Sequence, residues 1–152
     1  MAQGDLSLLT DPVAQQLLAS AQPAHLGYQW PDGTPRVVPI WFQWNGDEVV
    51  MGTPPAAPKV KALRDGDPVA VTIDSGDWPY QVLYVRGNAA ITTRTGVVAE
   101  YALAAVKYLG AEQGAAWVAQ FPPDVRMTRI AVRPDWVGVL DFRNRFPSGM
   151  QV

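Results

Sequence analysis

At 152 residues, with 48% hydrophobic and 17% charged side chains, the chain is long enough to bury a core and too apolar to be disordered. It has no cysteine and one histidine, which excludes disulfides, thiolate metal sites and a cysteine nucleophile and leaves little for zinc. A net charge of −2 argues against broad nucleic-acid binding, which needs many phosphates neutralised, and leaves room for one small anionic ligand.

No apolar run reaches the length of a membrane span, and the opening MAQGDLSLLT lacks the basic start of a signal peptide. A cytoplasmic protein with no membrane partner is therefore expected. Asp11-Pro12 predicts a helix from Pro12 to about Ser20, with a capping carboxylate and proline at the first helical position. Ala24 to Trp30 reads as a strand, and Pro31-Asp32-Gly33-Thr34 as a turn. The next run, Arg36 to Trp44, is apolar at almost every position, which predicts a strand covered on both faces. Asn45-Gly46 predicts a type I′ hairpin turn into a second strand, Glu48 to Gly52. A proline-rich loop, Thr53 to Pro58, then starts a basic helix, Pro58 to Arg64.

Beyond Asp65-Gly66-Asp67-Pro68, Val69 to Ile73 is a short β-branched strand. Tyr80 to Thr92 reads as a long strand with Val82, Tyr84 and Ala89 to Ile91 inward and a bend or bulge at Gly87. Thr95 is placed to cap a helix through Tyr108, with Val98, Tyr101, Leu103, Val106 and Leu109 as its apolar stripe and Gly110 at its end. A further helix from about Glu112 to Gln120 and two strands, Arg126 to Arg133 and Trp136 to Phe142, complete the chain. Six or seven strands on short connections predict a small antiparallel barrel with helices on its outside and ends, since closure removes exposed edges.

The chemistry-bearing residues are few. A hydroxyl at Thr53, a helix start and Lys59 just inside it have the makings of an anion site; a surface helix with solvated lysines is the alternative at this level. His25 has no partner at a diagnostic spacing, and Asp74 and Asp77 flank a turn where aspartates satisfy backbone donors. No nucleotide loop, dinucleotide fingerprint or nucleophile elbow is present. An enzyme built on this chain would take its reactive group from a cofactor, and Trp41, Phe42, Trp44, Trp78, Tyr80, Trp136 and Phe142 suit a planar, phosphorylated, redox-active ring.

The stretch DGTPRVVPIWFQWNGDEVVMGTPPAAPKVKALRDGDPVAVTID resembles the pyridoxamine 5′-phosphate oxidase-like family of flavin-binding split β-barrels. The likeness continues through Asp77-Trp78-Pro79-Tyr80, Val85-Arg86-Gly87, Tyr108-Leu109-Gly110 and the closing Arg133-Pro134 to Asp141-Phe142 segment. It implies a mainly β split antiparallel barrel over residues 24–142, an N-terminal helical segment over 1–23 and a tail over 143–152. It further implies a homodimer with cofactor sites at the interface, binding FMN or the deazaflavin coenzyme F-420. Carried over by position, Thr53 and Lys59 would hold the phosphate, with Lys61 assisting. Val38, Pro39, Ile40 and Trp41 would line the ring, Met51 and Gly52 would pass beneath the ribityl chain, and Trp78, Tyr80 and Arg86 would contribute across the interface. The family often has asparagine where Ala62 stands and arginine where Ala57 stands, so two polar contacts are absent. The arginine–histidine pair of pyridoxamine phosphate oxidation is not evident in Arg143-Asn144-Arg145-Phe146, so vitamin B6 oxidation is not expected. The leading expectation is a hydride-transferring oxidoreductase acting on a small organic substrate, with no assigned catalytic side chain and no metal. A flavin or deazaflavin carrier or sensor without turnover is the competing one, and a haem-binding barrel a third, which the isolated histidine does not favour.

Overall fold

Two long runs rich in β-branched residues, β6 (Gln81–Thr95) and β7 (Arg126–Asp141), form the spine of the chain. In the computed structural model, which describes residues 2–146, they pair antiparallel from Gln81 opposite Asp141 to Thr95 opposite Arg126. The first half of β6 carries β5 (Pro68–Asp74), then β1 (Ala24–Gln29), then β2 (Pro35–Ile40). The first half of β7 carries β4 (Val49–Thr53), then β3 (Gln43–Trp44). All neighbours are antiparallel, in the order β2-β1-β5-β6-β7-β4-β3. β2 and β3 are the outer strands, yet only Trp41 and Phe42 separate them along the chain. The result is a mainly β split barrel whose seam is crossed by chain and not by a ladder.

The interior of the barrel is apolar, with Leu26, Phe42, Met51, Val71, Ile73, Leu83, Val85, Ile130, Val132 and Val137 all buried. Each such side chain stabilises the fold by about 1.5–3 kcal/mol through burial. Helix α1 (Pro12–Leu18) adds Val13, Leu17 and Leu18 to this core, and the Asp11 carboxylate caps it by accepting from the Val13 N–H, as its sequence predicts. The same carboxylate accepts from Arg145, which holds it below the usual carboxylate range and ties the start of the chain to its end. Helix α2 (Pro58–Ala62) follows β4; α3 (Ala99–Leu109) and α4 (Ala111–Ala119) form a hairpin between β6 and β7. Among the described residues no helix is long and apolar enough to cross a membrane. The expected tail, 143–152, lies outside the described residues from 147 onward.

Several expectations are corrected. Arg36 to Trp44 is not one strand covered on both faces: β2 is an outer strand with Val37 67% exposed, and pairing stops at Trp41. An all-apolar run carries no period, so the sequence alone does not distinguish a doubly buried strand from an outer one. At the β3–β4 turn only Gly46 has positive φ, so a type I′ turn is not formed. The Asn45 side chain instead accepts from the N–H groups of Asp47 and Glu48. Along β6 the inward residues are Leu83 and Val85, with Val82 and Tyr84 on the outer face. That one-residue phase exchanges the two faces of the strand. Thr95 ends β6 and does not cap α3, and the helix buries Ala104 and Ala105 while Leu103 and Val106 face outward.

The two strands expected after residue 126 are one, because a bulge between Arg86 and Gly87 lets the ladder pass Pro134 and Asp135 without breaking. Gly87 is where the sequence places a bend, and the reason is steric: a Cβ there would lie 2.3 Å from the Arg133 carbonyl oxygen. Gly87→Ala should therefore cost about 1–3 kcal/mol of folding stability, read as a lowered urea midpoint at unchanged slope.

Candidate functional site

The barrel seam at Trp41-Phe42 is closed by side chains. Phe42 is fully buried, and both of its backbone groups are taken up by side chains of α3. Its N–H donates to the Tyr108 hydroxyl at 3.3 Å, and its carbonyl accepts from Lys107 Nζ at 2.7 Å. The Tyr108 hydroxyl in turn donates to the Gln22 carbonyl at 2.8 Å, ahead of β1. Burial pushes the Tyr108 phenol up to about 12, so it keeps the proton that this bond requires. Trp41 stacks on Tyr108 with ring centroids 5.0 Å apart and planes 8° from parallel, and lies 6.0 Å from Tyr101.

The other end of α3 is clamped as firmly. Glu100 accepts two bonds from Arg129 of β7, at 2.8 and 3.2 Å, which holds its carboxyl below the usual range. Arg129 sits opposite Gly52 in the ladder and also reaches Glu48. The helix comes so close here that a Cβ on Gly52 would lie 2.9 Å from Tyr101 Cβ and 3.0 Å from Met127 Sδ. Only glycine leaves room for Tyr101 over β4.

The residues singled out in the sequence fall into three places. Val38 and Ile40 pack toward the core from β2, while Pro39, between them, points outward; Trp41 turns toward α3. Met51, Gly52 and Thr53 form the end of β4, buried against Ile130, Arg129 and Thr128. The loop of residues 54–57 then leads to Lys59 in the first turn of α2. Lys59 is half-buried, and desolvation lowers its pKa from the ordinary lysine value. Among the described residues it makes no ion pair. Lys61 is exposed. Helix α2 has five residues and no side-chain cap, so its dipole is slight and the lysine carries the positive charge.

The third place is the far end of the sheet. Trp78 and Tyr80 meet edge to face, with centroids 5.5 Å apart, beside Phe142. Arg86 lies about 20 Å further along β6, stacked over the Trp136 ring at 4.0 Å. A single chain thus does not bring these three together. His25 lies mid-strand in β1 between Pro39 and Thr72, and Asp74 accepts from the Gly76 N–H as a turn residue. Sequence reasoning missed Tyr101, Lys107, Tyr108 and Arg129. The usable signal was Lys107-Tyr108, a polar pair that follows the apolar run Ala102 to Val106.

The family model for pyridoxamine 5′-phosphate oxidase matches residues 10–133. The chain belongs to this family. The solved structure of an F-420 reductase superposes with a TM-score of 0.63 at 26% identity, covering 80% of this chain and 93% of that one. A conserved hypothetical protein from Mycobacterium tuberculosis superposes with a TM-score of 0.68 at 18% identity, over 94% of this chain and 89% of its own. A heme binding protein from Mycobacterium smegmatis superposes at 0.60 and 17% identity, over 88% of this chain and 54% of its own. No curated protein matches the chain significantly. Within this pyridoxamine 5′-phosphate oxidase-like barrel, α3 is the element that holds the seam shut, and two measurements test it. Tyr108→Phe should cost about 1–3 kcal/mol, because the Gln22 carbonyl loses its donor and the Phe42 N–H its acceptor. Burial lowers Lys107 from 10.5 to about 8, so between those values the unfolded chain binds the extra proton and stability rises with pH. Lys107→Met should flatten that rise in urea titrations stepped across the same pH window.

Proposed function

We propose that this protein is a homodimeric oxidoreductase that uses FMN or the deazaflavin coenzyme F-420 to move a hydride to or from a small organic substrate. The observation that carries the reading is Lys59, a half-buried ammonium without an ion-pair partner among the described residues, six positions beyond Thr53. A cation kept out of water in this way is worth its desolvation only if an anion meets it, and a cofactor phosphate is such an anion. The family membership and the resemblance to an F-420 reductase at 26% identity support the same conclusion.

In this reading Lys59 anchors the phosphate with Thr53 beside it and Lys61 at the mouth. Val38, Pro39, Ile40 and Trp41 wall the ring, and Met51 and Gly52 run under the side chain of the cofactor. The bound ring supplies the hydride chemistry, and the protein binds it, orients it and keeps water out. Exposed Val37 and Pro39 on β2, and separately Trp78 at 60% exposure with Tyr80 beside it, are apolar surfaces that a second subunit would cover. In a dimer, either Trp78 and Tyr80 of one subunit or Arg86, about 20 Å further along β6, would reach the ring held by the other. Haem, which the Mycobacterium smegmatis protein is named for binding, is the weaker reading, since His25, the one histidine, stands mid-strand in β1 between Pro39 and Thr72.

Fluorescence titration with FMN and with coenzyme F-420, run side by side, tests the assignment. Lys59→Ala should weaken the bound one roughly ten- to a hundredfold, the cost of one charge-assisted phosphate contact, while His25→Ala should leave it unchanged. Equal affinity in wild type and Lys59→Ala would remove the anchor. Reducing the bound cofactor and offering enones and quinones then separates an enzyme, which reoxidises it, from a carrier or sensor, which does not.

A further inference from the structure

Lys107 is set in surroundings that ordinary surface lysines lack. It lines a cavity of about 340 Å³ between α1, β3 and α3, whose walls are Leu18, Trp44, Leu103 and Val106, with Gln15 and Gln43 as its uncharged polar members. No carboxylate and no second cation lines the space. Lys107 makes no ion pair among the described residues; its partners are the Phe42 carbonyl, the Phe42 ring at 3.7 Å and the Tyr108 ring at 5.0 Å. The geometry points to Lys107 as a covalent site, an amine that condenses with small apolar aldehydes entering the cavity beside α3. This inference does not depend on the cofactor reading.

Three features make the amine a nucleophile. An imine needs the uncharged form, and burial against apolar walls supplies it by lowering the pKa to about 8. The facing Phe42 and Tyr108 rings favour the ammonium and burial opposes it. The bond to Phe42 uses one N–H and fixes the nitrogen, which leaves the lone pair of the neutral amine free. The Leu103 and Val106 side of the cavity offers apolar surface to an alkyl chain, with the amides of Gln15 and Gln43 as the other part of its lining.

The step balances without an oxidant. The nitrogen lone pair adds to the aldehyde carbon and a proton lost from nitrogen goes to the carbonyl oxygen; the carbinolamine hydroxyl then takes a proton from solvent and leaves as water, giving an iminium whose one remaining N–H can still meet the Phe42 carbonyl. Added cyanoborohydride delivers a hydride to the iminium carbon, and a stable secondary amine records the event.

The experiment treats the intact protein with hexanal and cyanoborohydride and maps labelled lysines by peptide mass spectrometry over a series of pH values. Lys107 should label at least about tenfold faster than Lys59 and Lys61, with its rate half-maximal near pH 8. It should prefer hexanal to acetaldehyde, and Leu103→Asn, at a position 57% exposed, should abolish that preference without disturbing the fold. Labelling of Lys59 or Lys61 as fast as Lys107 would overturn the inference, as would equal rates for the two aldehydes at Lys107 in the wild-type protein.

Discussion

The amide and carbonyl of Phe42, both held by side chains of α3, are what let a sheet with two free outer strands behave as a barrel. β2 and β3 share no ladder, so the seam between them has to be closed by something other than strand pairing. Buried backbone groups must find partners, and here the partners come from a helix more than sixty residues away in sequence. With Gln22 on the same tyrosine, one side chain joins the start of β1, the β2–β3 junction and α3. The Glu100–Arg129 pair secures the opposite end of the helix to β7.

That closure sets the shape of the candidate site. Trp41 is turned into a stack with Tyr108 and Tyr101, and β4 is approached so closely that position 52 must be glycine. The positive charge beyond it comes from a lysine and not from a helix end, since α2 is a single turn. Both half-buried lysines, Lys59 and Lys107, have lowered pKa values through desolvation, and neither has a carboxylate partner among the described residues.

Local signals were legible where a rule acts within a few residues. The Asp11 cap, the turn at residues 31–34, the bulge at Gly87 and the glycine after α3 all stand where their residues predict them. The phases of apolar strands were not legible. Arg36 to Trp44 and Val82 to Val85 are apolar at nearly every position, so either face could be inward, and only tertiary pairing, with β1 for the first and with β5 and β7 for the second, decides. The stripe on α3 misled because the side chains that meet the barrel are Glu100, Tyr101, Lys107 and Tyr108, while Leu103 and Val106 face outward.

The sequence by itself determined the strand-rich class, the order of elements and the family, because composition, turn chemistry and an ordered set of short motifs are properties of neighbouring residues. Tertiary structure alone decided which strands are outer ones, how the seam is closed and which lysines lose water. Those depend on contacts between segments forty to eighty residues apart, such as Phe42 with Lys107 and Glu48 with Arg129. No local pattern encodes such pairings, since the free energy that selects them comes from burial and hydrogen bonding of the whole barrel at once.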